Sequence, residues 1–200
     1  MITVALTGGI ASGKTVVLAA VRDFPEVKTV QADELAKEIY CPDNPHFEEV
    51  VDLLGTDIVD ETGAVDRKKV AELVFENEEL LRKLEDIAHP YVRQRINELV
   101  NNYGNRGSGL LMIEIPLLFQ SPDAELEDFD YILLVAVDRE VQVERLMERD
   151  GISEATAKKR IELQALPENA RERSNFVIET GCTIEETRQK AKTLVEKLLD

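Results

Sequence analysis

Gly8, Gly13, Lys14 and Thr15 occupy the fixed positions of G-x-x-x-x-G-K-[ST] in the stretch Gly8-Gly9-Ile10-Ala11-Ser12-Gly13-Lys14-Thr15. Those residue types at that spacing grip phosphate. Glycines let backbone amides turn inward toward an anion, and a helix starting behind them adds partial positive charge. Lys14 reaches the outer phosphates of a nucleotide, and the Thr15 hydroxyl is placed to ligate magnesium. The candidate nucleotide-binding residues are therefore Gly8, Gly9, Ala11, Ser12, Gly13, Lys14, Thr15 and Val16. A dinucleotide fingerprint is excluded, because Ile10 stands where G-x-G-x-x-G needs its second glycine.

Several other residues have chemistry to offer. Asp33 has two readings: a base that accepts a proton from an acceptor hydroxyl, or a helix cap. Glu114 orients magnesium through water, or is a partly buried structural carboxylate. His89, just before Pro90, is structural or a substrate contact. Arg145 and Arg149 lie four apart and share one helical face, alternating with Glu144 and Glu148. The plain reading of that face is a solvated surface. The chemical reading is a lid whose guanidinium forks close on a transferring phosphate, extended by Arg160, Gln164 and Arg171.

The elements that must position these groups follow from apolar patterning. Strands are expected over residues 2–6, 27–31, 110–115, 131–137 and 176–179. A helix is expected from Thr15 until Phe24-Pro25, and another from Asp33 to about Ile39. Residues 44–103 offer helices only: one begun by Asn44-Pro45 and stopped by Gly55, and two capped by Asp66 and Asn77. His89-Pro90 is expected to end the second of these, with a further helix from Pro90 to Tyr103. Asp138 caps a helix to about Asp150, Ser153 begins one that reaches Leu166, and Thr183 with Glu186 forms a capping box for the last. Short, wholly apolar strands separated by helices imply a parallel sheet covered on both faces. The expected fold is α/β: a three-layer α/β/α core with a five-stranded parallel sheet. Residues 1–43 and 104–200 make the nucleotide-binding core, with a helical lid at about 139–173. Residues 44–103 make an inserted helical lobe. Ligands on such sheets bind at the carboxyl ends of strands, where Asp33, Glu114 and Asp138 fall.

Composition bounds the partners. A formal net charge of −16 disfavours a nucleic-acid backbone. Against that acidic background, residues 139–173 carry eight Lys/Arg and eight Asp/Glu, a relative concentration of cations. Cys41 and Cys182 have no metal-type spacing and are expected to be free thiols. No apolar run approaches the ~20 residues of a membrane span. With the first strand at Ile2, no cleavable leader is expected, and the expected compartment is the cytoplasm. A monomer or small homo-oligomer is consistent with this composition.

Over nearly its whole length the chain resembles the dephospho-coenzyme A kinases. The resemblance rests on residues 6–15, on Ala32-Asp33 with Ala36, and on His89-Pro90. It continues through Pro116-Leu117-Leu118-Phe119, Arg145 with Arg149-Asp150, Arg160 with Gln164, and Val177-Ile178 before Gly181. It implies transfer of the ATP γ-phosphate to the ribose 3′-hydroxyl of dephospho-coenzyme A, with Mg2+. Asp33 would be the base, Lys14 and Arg145 the stabilisers of the migrating group, and Arg149 a further ATP contact. His89, Pro116, Leu117 and Arg160 would line the acceptor side. Gln120, Asn175 and the pair Glu179-Thr180 depart from the family pattern, and these departures bear on the adenine side. Two rivals remain. One is another small-molecule kinase acting on a nucleoside, nucleotide or shikimate-like acceptor. The other is a nucleotide-dependent switch, which would carry a base-recognition motif such as Asn-Lys-x-Asp; this sequence has none.

Overall fold

The computed structural model describes residues 1–75, 77–104, 109–116, 118–119 and 126–200, and of residues 104 and 127 the backbone alone. The contact pattern divides the chain into two units, Met1–Gln31 with Tyr103–Asp200, and Ala32–Asn102.

The first unit is built on five parallel strands: β1 (Ile2–Thr7), β2 (Val27–Gln31), β3 (Leu110–Glu114), β4 (Tyr131–Ala136) and β5 (Phe176–Glu179). Their order across the sheet is β2-β3-β1-β4-β5. The helices of this unit are α1 (Lys14–Val21), α6 (Arg139–Asp150), α7 (Glu154–Leu163) and α8 (Ile184–Leu199). One sheet face buries Val4, Leu6, Leu110, Met112, Leu133 and Val135 against Val17, Leu18 and Val21 of α1 and Ala191, Val195 and Leu198 of α8. Each side chain of leucine size fully buried there contributes about 1.5–3 kcal/mol. The other face carries Ala5, Ile132, Leu134 and Ala136, covered by Leu118, Leu126, Phe129, Leu166 and Ala170. Strands buried on both faces explain the unbroken apolar runs.

Local signals account for the helix ends. The Thr183 hydroxyl accepts from the Glu186 N–H while the Glu186 carboxylate accepts from the Thr183 N–H, the expected capping box. Ser153 caps α7, but that helix stops at Leu163, short of the expected Leu166.

The second unit holds α2 (Ala32–Ala36), α3 (Phe47–Leu54), α4 (Arg67–Phe75) and all but the last two residues of α5 (Glu78–Gly104). Asp66 and Asn77 accept from backbone N–H groups at the starts of α4 and α5, as expected of caps. Asn44 accepts from the His46 N–H in the turn before α3, which begins at Phe47 rather than at Pro45. Val59 and Val65 form an isolated antiparallel bridge, so the segment is not helix and turn alone.

Two expectations are corrected here. His89-Pro90 does not break a helix, because α5 runs through it. A proline inside a helix removes a hydrogen bond and costs about 3 kcal/mol. Packing on both sides of it outweighs that cost. Leu84 and Tyr91 are buried, with Leu80, Ile87 and Ala88 beside them, against Ile39, Val50, Leu54, Ile58 and Val70. Asp86, whose carbonyl Pro90 leaves without an N–H partner, is exposed, so water can satisfy it. The first boundary also lies earlier than expected. Ile39 and Tyr40, assigned by sequence to the nucleotide core, pack in the same helical cluster.

Candidate functional site

The phosphate loop occupies residues 8–13 between β1 and α1. Its backbone closes on itself, with the Ser12 N–H donating to Gly9 O at 3.2 Å and the Val16 N–H donating to Gly13 O at 3.0 Å. Lys14 folds back over the loop, its Nζ donating to Gly8 O at 2.8 Å and Gly9 O at 3.0 Å. The two motif glycines are required by close approach. A Cβ on Gly8 would lie 2.3 Å from the Val135 carbonyl oxygen. Gly13 has φ +95°, and a Cβ there would meet Thr180 Oγ1 at 3.3 Å. Ala11 is held in the left-handed region at φ 57°, a local strain of about 1–2 kcal/mol. The Ser12 hydroxyl is buried without a hydrogen-bond partner among the described residues. Strained backbone, an unsatisfied buried hydroxyl and a helix start together form a cradle that an anion completes.

The strand register fixes what flanks the loop. Leu6 pairs with Glu114, and Glu114 pairs with Gln31. The Glu114 carboxylate is buried at 7% exposure and accepts from Gln31 Nε2 at 2.7 Å. Thr7 Oγ1 donates to Pro116 O at 3.2 Å, tying the end of β1 to the turn after β3. Leu117, the other expected member of that turn, lies outside the described residues.

The arginine-bearing helices sit on the loop. Val143 and Leu146 of α6 and Ala157 and Ile161 of α7 bury against one another, with Ile10 and Ala11 packed on them. Gln142 Nε2 donates to Ile10 O at 2.8 Å. Arg145 donates to Thr180 Oγ1 at 3.1 Å, to Thr180 O at 2.5 Å and to Ala11 O at 3.5 Å. Arg145 is therefore half-buried and seated on backbone, whereas Glu144, Glu148 and Arg149 are exposed, as the plain reading of that face expects. Arg149 and Arg160 are linked through one carboxylate: Asp150 accepts from Arg149 Nε at 2.7 Å and from Arg160 Nη1 at 2.8 Å. The hydrogen bond from Arg149 holds the Asp150 carboxyl below the usual carboxylate range, and the same bond raises Arg149. Two guanidinium forks are thus gathered at the end of α6.

Thr180 and Gln142 were not among the sequence candidates. Gln142 carried no signal, and Thr180 stood out only as a departure from a pattern.

In the second unit, Asp33 is the second residue of α2. It is exposed, and its carboxylate makes no hydrogen bond among the described residues. The cap reading is thus not realised: the carboxylate sits in the first turn, where negative charge is favourable, and is left open. His89 is exposed within α5. Elsewhere in this unit, Tyr91 Oη donates to Glu38 Oε2 at 2.6 Å, and Arg95 Nε donates to the same oxygen at 3.0 Å.

Hard oxygen donors suit magnesium, and this cation keeps several waters and phosphate oxygens as ligands. The exposed Thr15 hydroxyl and the Glu114 carboxylate are donors of that kind. No group of three or more His, Cys, Asp or Glu gathers around a metal position among the described residues. No helix among them is long and apolar enough to cross a membrane.

Comparison with known proteins agrees with this geometry. The family model for dephospho-CoA kinase matches residues 2–186. A dephospho-CoA kinase of Bacillus cereus is 36% identical over 195 residues, covering 98% of this chain and 96% of the relative. A crystal structure from Thermus thermophilus superposes with a TM-score of 0.77 at 31% identity, covering 100% of this chain and 98% of that one. The dephospho-CoA kinase of Campylobacter jejuni shares the fold, with a TM-score of 0.75 at 24% identity over 98% of this chain and 96% of its own. With the phosphate loop, the parallel sheet and the full-length match in agreement, the chain belongs to the dephospho-CoA kinase family.

Proposed function

We propose that this kinase transfers the γ-phosphoryl group of ATP to the ribose 3′-hydroxyl of dephospho-CoA, giving CoA, and that it acts in the cytoplasm. The observation that carries the reading is the strained loop of residues 8–13 with Lys14 folded onto it, set in a chain that matches the family over residues 2–186.

Transfer of this kind demands little covalent chemistry from the protein; it depends on positioning and on charge. The amides at the start of α1 and the Lys14 ammonium bind the β- and γ-phosphates. Lys14 already points into the loop, so nucleotide replaces carbonyl acceptors with phosphate oxygens. The Thr15 hydroxyl and, through water, the Glu114 carboxylate would hold magnesium, which would supply neutralising charge to the phosphates. Asp33 accepts the proton of the acceptor hydroxyl, a task suited to an exposed carboxylate with no other partner. By the family resemblance, His89, Pro116, Leu117 and Arg160 are assigned to acceptor binding and Arg149 to ATP.

Arg145 stabilises the migrating group. In the structure its fork rests on Ala11 and Thr180, so this role requires it to exchange at least one of those acceptors for phosphate. Residues 139–173 act as the lid, and its closure excludes water that would otherwise hydrolyse ATP.

ADP release, followed with ATP and a panel of acceptors, tests the reading. The panel contains dephospho-CoA, adenosine, nucleoside monophosphates and shikimate. Release is expected with dephospho-CoA alone. Release with another acceptor assigns a different small-molecule kinase, and acceptor-independent turnover assigns a nucleotide switch.

A further inference from the structure

Thr180 follows β5 and is 1% exposed. Its N–H donates to Ala136 O at 2.9 Å, which extends the pairing of β4 with β5 by one residue. Its hydroxyl has a single proton to give. Ser12 O lies at 2.6 Å, whereas Ala136 O lies at 3.4 Å and already accepts the Thr180 amide. The proton therefore goes to Ser12, and the oxygen's other side accepts from Arg145 Nη1 at 3.1 Å. The carbon atoms of Thr180 fill the space that Gly13 leaves open, with Cβ and Cγ2 both 3.4 Å from where a Cβ on Gly13 would stand.

We infer that Thr180 is a positioning residue for phosphoryl transfer, its buried hydroxyl fixing the Ser12–Gly13 peptide of the phosphate loop and seating Arg145. A peptide unit is planar and trans, so its C=O and N–H point in opposite directions. Pinning the Ser12 carbonyl onto Thr180 turns the Gly13 N–H away from Thr180, fixing the direction of an amide of the phosphate cradle. The same hydroxyl holds the Arg145 fork at the edge of that loop. One side chain thus sets the orientation of a phosphate-binding amide and of the arginine assigned to the migrating group. This inference rests on the proposed kinase reading.

The test measures ADP affinity by calorimetry and initial rates with ATP and dephospho-CoA for Thr180→Val, Thr180→Ser, Arg145→Ala and the Thr180→Val/Arg145→Ala pair. Valine preserves the shape and deletes the hydroxyl, leaving a buried carbonyl without its donor. ADP affinity should fall about tenfold, and kcat/KM for ATP at least as far. The KM for dephospho-CoA should stay unchanged. Serine keeps the hydroxyl and should bind ADP within about twofold of wild type. In the Arg145→Ala background, Thr180→Val should cost clearly less than in wild type, because the two share one interaction. Wild-type ADP affinity in Thr180→Val, whatever its melting temperature, would overturn the inference. So would effects of Thr180→Val and Arg145→Ala that simply multiply. ADP binding needs no acceptor, so an error in the acceptor's identity leaves this test readable.

Discussion

The two units hold their candidate chemistry in opposite ways. In the sheet unit, the groups around the phosphate loop are hydrogen-bonded to the loop's own backbone. Lys14, Gln142 and Arg145 all donate to backbone carbonyls of residues 8–11, and Thr180 to that of Ser12. In the helical unit, Asp33 and His89 stand exposed, and the polar network of Tyr91, Glu38 and Arg95 does not include them. These donors are held at the loop by the fold, and phosphate oxygens have only to replace carbonyl acceptors of Lys14 and Arg145 for them to stabilise developing charge. A base that meets a diffusible acceptor must keep its lone pairs available. The contrast assigns preorganisation to the nucleotide side and open chemistry to the acceptor side.

If that division is right, Asp33→Asn should lower turnover by about 10²–10⁴-fold while ADP affinity stays within about twofold of wild type. Steady-state kinetics with calorimetry would check it, and a parallel loss of ADP binding would break the contrast. Lys14→Ala should lower kcat by about 10²–10³-fold with the melting temperature nearly unchanged. Loss of folding instead would make Lys14 a structural strut. On the helical side, Pro90→Ala should raise stability by up to about 3 kcal/mol in denaturant titration, since it restores an interior helix bond, and should leave ADP affinity unchanged. Gly13→Ala should cost about 1–3 kcal/mol and weaken ADP binding, because it combines φ +95° with contact on Thr180.

The smallest effect sharpens the comparison through pH. Burial, with the Glu38 carboxylate next, raises the Tyr91 phenol above its ordinary value of 10.0. A raised value favours the protonated phenol in the folded state. Its contribution is fully present below about pH 10 and is lost as pH rises through the folded value. Tyr91→Phe should therefore cost about 1 kcal/mol at neutral pH and flatten the loss of stability at alkaline pH. Nucleotide affinity should not move.

What was legible in the sequence was what short-range signals encode. The motif at Gly8–Thr15, the five apolar strands, the caps at Asp66, Asn77 and Ser153, and the Thr183–Glu186 box all declare themselves within a few residues. The continuity of α5 did not, because Pro90 is a local breaker overruled by the cluster around Leu84 and Tyr91. For the same reason the packing of Ile39 with α3 and α5 was hidden, and the first unit boundary was placed too late. Thr180 was illegible as a brace, since its bond to Ser12 joins residues far apart in the chain and leaves no periodic trace. The acceptors of Arg145 were hidden likewise: spacing gives a shared face, but not what that face touches.

The central claim is the destination of the phosphate, and phosphorus NMR of the product tests it most directly. With ATP and dephospho-CoA, the account predicts one new phosphomonoester on the ribose 3′ oxygen, formed in step with ADP. A phosphomonoester at any other position, or ADP with inorganic phosphate alone, would contradict it.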